Sequence, residues 1–245
     1  MRSLCVSVMS VAVSLLACAA EEAAGQPKEG PEPKVDTWLL DFKPLDIKPI
    51  VVERASGRGR LDWYLVYAVT NRDGEPRPFE ITISAESDKG VKYSDSSMPE
   101  TERAVERALG EDLFGTIDRE KHFPLAEQKK ALDEIRALQG DAQIEAFRKY
   151  LERKRITIKP KETKRCIATF GALDREADFV KIYVRNLTGT IVIKEKEGAK
   201  VLEEHVLVLE YRIPGDEFGQ SQDRFEYVGR QWIKVEREVA PAAKK

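Results

Sequence analysis

The sequence predicts a mainly β chain, an antiparallel β-sandwich spanning residues 37–236 with a helical insertion over 99–153 between two strand groups. Three observations carry this. Leu61 to Thr70 is apolar on both faces, with Leu61, Trp63, Leu65, Tyr67 and Val69 on one and Tyr64, Val66 and Ala68 on the other. Such a strand has to be central and covered on both sides. Phe79, Ile81, Ile83 and Ala85 alternate with Glu80, Thr82, Ser84 and Glu86, the pattern of a strand with one wet face. From about Pro99 the period changes from two to a helical one, and it changes back at Arg155.

The remaining elements follow in order. Trp38–Phe42 and Ile50–Val52 read as strand segments interrupted by Pro44 and Pro49, which suits a sheet edge. Asn71-Arg72-Asp73-Gly74-Glu75-Pro76 is a turn by composition. Ser97-Met98-Pro99-Glu100 offers a helix start, and Gly110 a stop. Pro124 opens a second helix with Leu125, Leu132, Ile135 and Leu138 on one stripe, ended by Gly140. Asp141 caps a third, with Ile144, Phe147 and Leu151 at helical spacing. The second apolar face of Leu61–Thr70 needs a cover. Leu132, Ile135, Ile144, Phe147 and Leu151 of the insertion are expected to supply it, in a docked hairpin that leaves Arg153, Lys154 and Arg155 largely exposed; the alternative is an insertion that stands away from the sandwich and presents Arg148 to Arg155 to a partner. Strands return at Ile156–Ile158, Cys166–Phe170 and Val180–Val184. A hairpin follows around Glu197-Gly198-Ala199, and a last strand runs from about Phe225 to Val235. Residues 237–245 read as a disordered tail.

The 245 residues are 42% hydrophobic and 34% charged, a globular composition. The 41 Lys and Arg against 43 Asp and Glu give a net charge of -2, which provides no global pull toward nucleic acid or anionic membrane.

The N-terminus predicts export. Met1-Arg2-Ser3 is a short basic start, Leu4–Leu16 is uncharged and apolar, and Ala17–Ala24 is rich in alanine, the layout of a signal peptide over 1–19. Ala17-Cys18-Ala19 fits ordinary cleavage. Leu15-Leu16-Ala17-Cys18 resembles the lipobox of bacterial lipoproteins, which implies cleavage before Cys18 and lipidation of Cys18. The Pro-rich stretch through residues 20–36 reads as a tether. The expected location is therefore the periplasm or cell envelope, with a membrane anchor only through an N-terminal lipid. Of the three cysteines, Cys5 and Cys18 lie in the export segment, so Cys166 has no partner for an intrachain disulfide.

Tyr64-Leu65-Val66-Tyr67-Ala68-Val69-Thr70-Asn71, a turn, and a second alternating strand resemble the immunoglobulin-like and fibronectin-like modules of bacterial exported proteins. The resemblance covers the strand segments. It implies an immunoglobulin-like fold and an exported location, and it assigns no functional residue.

The search for chemistry gives few candidates. His122 and His205 are the two histidines, and no zinc spacing or nucleophile elbow is present, so no cofactor or metal is expected. Cys166 alternates with Ala168 and Phe170 as a buried strand residue does. The acidic loop Pro214–Asp223 lacks the EF-hand spacing and reads as a solvated turn. Trp38, Trp63, Tyr64, Tyr67, Tyr211, Tyr227 and Trp232 fit core faces better than a sugar-stacking platform. The one concentration of charge is basic. Arg148, Lys149, Arg153, Lys154 and Arg155 begin a run that continues to Arg165. It reads as a solvated face, or as a patch for an anionic envelope polymer, lipid head groups or an acidic partner.

The expectation is a non-enzymatic exported module that binds another envelope component or assists assembly. The alternatives are a carbohydrate-binding module, marked by an exposed aromatic row, and a carboxylate-dependent hydrolase, marked by a raised-pKa acid beside a second acid in a pocket.

Overall fold

Strands dominate the computed structural model, which describes residues 28–30, 37–53, 59–96, 98–172, 174, 176–189, 191–196, 199–213 and 225–238. The expected export segment with Cys18, most of the Pro-rich stretch, the acidic loop at 214–223 and the chain beyond 238 lie outside the described residues. The elements in chain order are β1 (Lys28–Glu29), β2 (Leu40–Glu53), β3 (Gly59–Asn71), β4 (Arg77–Pro78), β5 (Thr82–Ser87), β6 (Lys92–Ser94), α1 (Pro99–Leu109), α2 (Thr116–His122), α3 (Leu125–Arg136), α4 (Gly140–Lys154), β7 (Thr157–Ile158), β8 (Thr163–Phe170), β9 (Phe179–Arg185), β10 (Ile191–Lys196), β11 (Ala199–Arg212) and β12 (Glu226–Glu238).

Two sheets contain most of them. The smaller has the order β2-β3-β8, and the larger β1-β12-β11-β9-β5-β6, with β10 also on β11. Every pairing in the smaller sheet is antiparallel. Leu65, Tyr67, Val69, Ala168 and Phe170 of the smaller sheet share one apolar cluster with Ile83, Ala85, Ile182, Val184, Leu207 and Leu209 of the larger. The sheets therefore face each other across a common core, where alternate residues of each strand point inward.

The doubly apolar strand β3 is central in its sheet, as its composition requires. The two proline-interrupted segments before it form one continuous edge strand, β2. A register shift between Pro44 and Asp46 absorbs the missing donor. The opposite edge, β8, is closed by Phe114. Its N–H donates to the Arg165 carbonyl, and its own carbonyl accepts from the Ile167 N–H.

The second face of β3 is covered, but not by the residues expected. Tyr64 and Val66 of β3 and Ile167 of β8 pack against Val105 of α1 and Leu113 just beyond it. Of the five proposed cover residues, Ile135 is buried, and it lies in a separate cluster with Phe123 and Tyr150 that Leu132 flanks. Ile144, Phe147 and Leu151 are exposed. The face to be covered is small, and α1 follows β6 after a short connection, so the nearer helix fills it. The longer α3 and α4 instead pack on each other as a hairpin.

Polar contacts fasten α1 in place. The buried Asp62 on β3 accepts hydrogen bonds through Oδ2 from Arg60 Nη2 and from Thr101 Oγ1 of α1, both at 2.6 Å. The buried Glu102 accepts the N–H groups of Thr116 (3.0 Å) and Ile117 (3.2 Å), so its carboxylate sits at the start of α2. Gly115 makes this approach possible, since a Cβ there would lie 2.5 Å from Glu102 Oε2.

At the other side, β1 lies parallel to β12, with Lys28 opposite Gly229 and Glu29 opposite Arg230. Part of the Pro-rich stretch thus adds to the edge of the larger sheet, beside a residue whose missing side chain leaves it room.

Candidate functional site

The basic run begins on α4 and divides by position along the helix. Arg148 and Lys149 both lean toward Glu145, at 3.3 and 3.8 Å. Arg153 pairs with Glu127 of α3 and places its guanidinium 4.7 Å from the centre of the Phe123 ring. Lys154 and Arg155 are exposed and have no acidic partner among the described residues. All five basic side chains face solvent.

The same helix carries an exposed apolar face, on which the Phe147 ring stacks against Tyr150 at 6.0 Å. Its inner side holds Tyr150 against Phe123 and Ile135. On the outer side Ile144 is 61% exposed and Phe147 and Leu151 are each 45% exposed, while Leu125 at the start of α3 is 66% exposed. Spacings of three and four residues bring Ile144, Phe147, Arg148, Leu151, Lys154 and Arg155 to one side of α4. The surface is thus apolar at its centre and cationic at its margins.

A cleft of about 650 Å³ adjoins the end of this surface, lined by residues that include Phe79, Ile81, Arg119, Phe123, Lys154 and Arg155. Its volume suits a small ligand. Behind it lies a buried polar group. Arg119 Nη1 is 3.6 Å from Asp95 Oδ2, and Asp95 Oδ1 accepts the Thr169 N–H. Burial raises the Asp95 carboxyl to about 6, against the lowering effects of the Thr169 hydrogen bond and the Arg119 cation, and the Glu102 charge raises it further. Burial also pushes Tyr67 well above the usual phenol range and Cys166 up to about 12.

These shifts give two expected results. The Asp95 pKa is higher in the folded chain than its ordinary 3.8, so the folded state holds the proton more tightly. The stability this group contributes is full below about pH 4 and is lost as pH rises through about 6. Relative to Asp95→Asn, the wild type should lose about 3 kcal/mol between pH 4 and pH 7, two pH units at 1.36 kcal/mol each. Denaturant unfolding of both proteins across that range checks it, and a constant difference contradicts it. Cys166 is fully buried and free. A thiol that hardly ionises at neutral pH should resist alkylation in the native protein and react only on unfolding. Cys166→Ala should cost about 1 kcal/mol.

The other sequence candidates are placed as follows. Trp63, Tyr64, Tyr67 and Tyr211 are buried, and Trp38, Tyr227 and Trp232 are half-buried against the core, so the seven aromatics form no exposed row. His122 is exposed at the end of α2, and His205 lies half-buried on β11. Asp95 and Glu102 are neighbouring acids, but neither lines the cleft, and Glu102 is occupied by the start of α2. No cluster of three or more metal-ligating side chains occurs among the described residues. The apolar stripe of α4 was read from the sequence as cover and stands exposed, and the Asp95–Arg119 pair was not singled out by the sequence. The i, i+3, i+4 apolar spacing signals the first without saying whether it is covered.

Known protein families, curated proteins and solved structures were searched for similarity to the chain, and none matches.

Proposed function

We propose that this is a non-enzymatic exported protein of the cell envelope, which binds another envelope component or assists assembly through its α3–α4 hairpin. The observation that carries the reading is the outer face of that hairpin, apolar at Ile144, Phe147 and Leu151 and rimmed by unpaired Lys154 and Arg155. An apolar patch that the fold itself leaves open is an interaction site or an aggregation liability. The partner classes that suit it are another envelope protein or an anionic envelope component.

Export rests on the signal-like residues 1–19, and membrane attachment on lipidation of Cys18 at the lipobox-like Leu15-Leu16-Ala17-Cys18. The immunoglobulin-like reading is supported by strand order. β2-β3-β8 follows the pattern A-B-E and β11-β9-β5 the pattern G-F-C, with the helices standing where strand D would lie.

A photoreactive amino acid at position 147, incorporated in the native host, tests the binding role. The expected result is a discrete crosslink to an envelope component that weakens when Lys154 and Arg155 are both replaced by alanine. A position 147 that never crosslinks, in a folded and exported chain, contradicts it.

A further inference from the structure

We infer that the α3–α4 face docks on an anionic bilayer surface, with Ile144, Phe147, Leu151 and Leu125 entering the headgroup boundary and Arg148, Lys154 and Arg155 meeting lipid phosphates. The inference rests on the reading of the hairpin as the recognition element and commits its partner to a lipid surface.

Charge is the first argument. Across the hairpin, residues 123–155, eight Lys and Arg stand against six Asp and Glu, a net +2 in a chain whose net charge is -2, and the excess is gathered at the end of α4 in Arg153, Lys154 and Arg155. The positive charge is therefore local. It borders the exposed apolar residues, the layout of a helix that lies in a membrane interface. Length is the second. α4 has 15 residues, short of the ~20 that span a bilayer. Among the described residues no helix is long and apolar enough to cross. A helix with this pattern and length can lie on a bilayer and cannot cross one.

The third argument is the geometry of the hairpin. Arg153 pairs with Glu127, and Phe123 packs on Tyr150, so the start of α3 lies against the end of α4. Leu125 therefore sits at the same end as Leu151, Lys154 and Arg155. The alkyl stems of Lys154 and Arg155 allow their charges to reach phosphates while the neighbouring apolar groups are buried. A second copy of this chain fits less well, because two faces of the same positive charge would have to meet. The contact would be additional to any lipid on Cys18, and it would hold the body against the membrane that the lipid reaches by a tether.

The test uses the full chain carrying Phe147→Trp, with vesicles of brominated phosphatidylglycerol or brominated phosphatidylcholine. Quenching in excess of that of the parent chain, whose Trp38, Trp63 and Trp232 also fluoresce, reports local insertion at position 147, whatever an N-terminal acyl chain does. The expected result is strong quenching and a blue shift with phosphatidylglycerol, and little of either with phosphatidylcholine. Each cation near a charged surface is worth roughly a factor of five, so replacing Arg148, Lys154 and Arg155 by alanine should raise the lipid needed about a hundredfold. An indole unquenched by phosphatidylglycerol, or quenched equally by both lipids, overturns the inference. So does self-association in sedimentation that Phe147→Glu abolishes, which would assign the face to a second copy. A crosslink from position 147 to an envelope protein, without quenching, overturns the lipid inference alone and leaves the binding role standing.

Discussion

Trp63→Ala is expected to cost about 4 kcal/mol of folding free energy, the scale for emptying a fully buried tryptophan site. Trp63 is 1% exposed at the centre of β3. Its ring stacks on Phe170 of β8 at 4.1 Å and on Phe225 at 5.7 Å, and meets Tyr93 of β6 edge-on at 5.5 Å. One side chain thus bridges both sheets and the start of the last strand. The cavity would open where the sheets meet, and close packing there leaves little room for collapse. Trp63→Phe separates packing from polarity. The indole Nε1 is buried without a hydrogen-bond partner among the described residues, so phenylalanine removes an unsatisfied donor along with volume. It should cost about 2 kcal/mol, less than alanine because the remaining ring leaves a smaller cavity. Denaturant unfolding of the three proteins checks both values. Equal costs for Ala and Phe would mean that the stacking contributes little.

Asp62→Ala should cost about 3 kcal/mol, the low end for breaking a buried ion pair, because Arg60 keeps partial access to water. The side chain of Asp62 is fully buried and that of Arg60 about one-third exposed. Removing the carboxylate strands Arg60 and releases Thr101 of α1, and with it the helix that covers Tyr64 and Val66. The double replacement Arg60→Met with Asp62→Leu should recover most of the loss, since an apolar pair of similar size often equals a buried ion pair. A single substitution that leaves the unfolding midpoint unchanged would show that α1 is not held by this contact.

Sequence reasoning located β3 as the central strand because both faces are apolar, a property visible in Tyr64, Val66 and Trp63 themselves. It placed β2 at an edge through Pro44 and Pro49, but read two segments where a bulge joins them into one strand. The identity of the cover was not legible. α1 offers the sheet one buried apolar side chain, Val105, and has no long apolar stripe to announce it, whereas α4 has such a stripe and leaves it open. An apolar stripe shows that a helix has something to bury, and does not say against what. The short helix α2 was hidden for a related reason. Ile117 is its one large apolar residue, and the carboxylate at its start comes from Glu102, fourteen residues earlier. The Asp95–Arg119 pair joins residues 24 apart through tertiary packing, and no local pattern marks it. The basic run was plain from composition, but its division into the Arg153–Glu127 pair and the free Lys154 and Arg155 required the hairpin.

The central claim is that α1 covers the sheet while the α3–α4 hairpin stands ready for a partner. Excision of the hairpin tests it most directly. Arg153 lies over Phe123, so the two ends are close and a short Gly-Ser linker in place of residues 123–154 can join them. The hairpin buries its apolar residues in a cluster of its own, separate from the core between the sheets. The excised chain should therefore keep its unfolding free energy within about 1 kcal/mol, as expected for contacts that do not share partners with the core. A loss of several kcal/mol, comparable to that of Trp63→Ala, would mean that the hairpin belongs to the fold, and the claim that it serves recognition would fail.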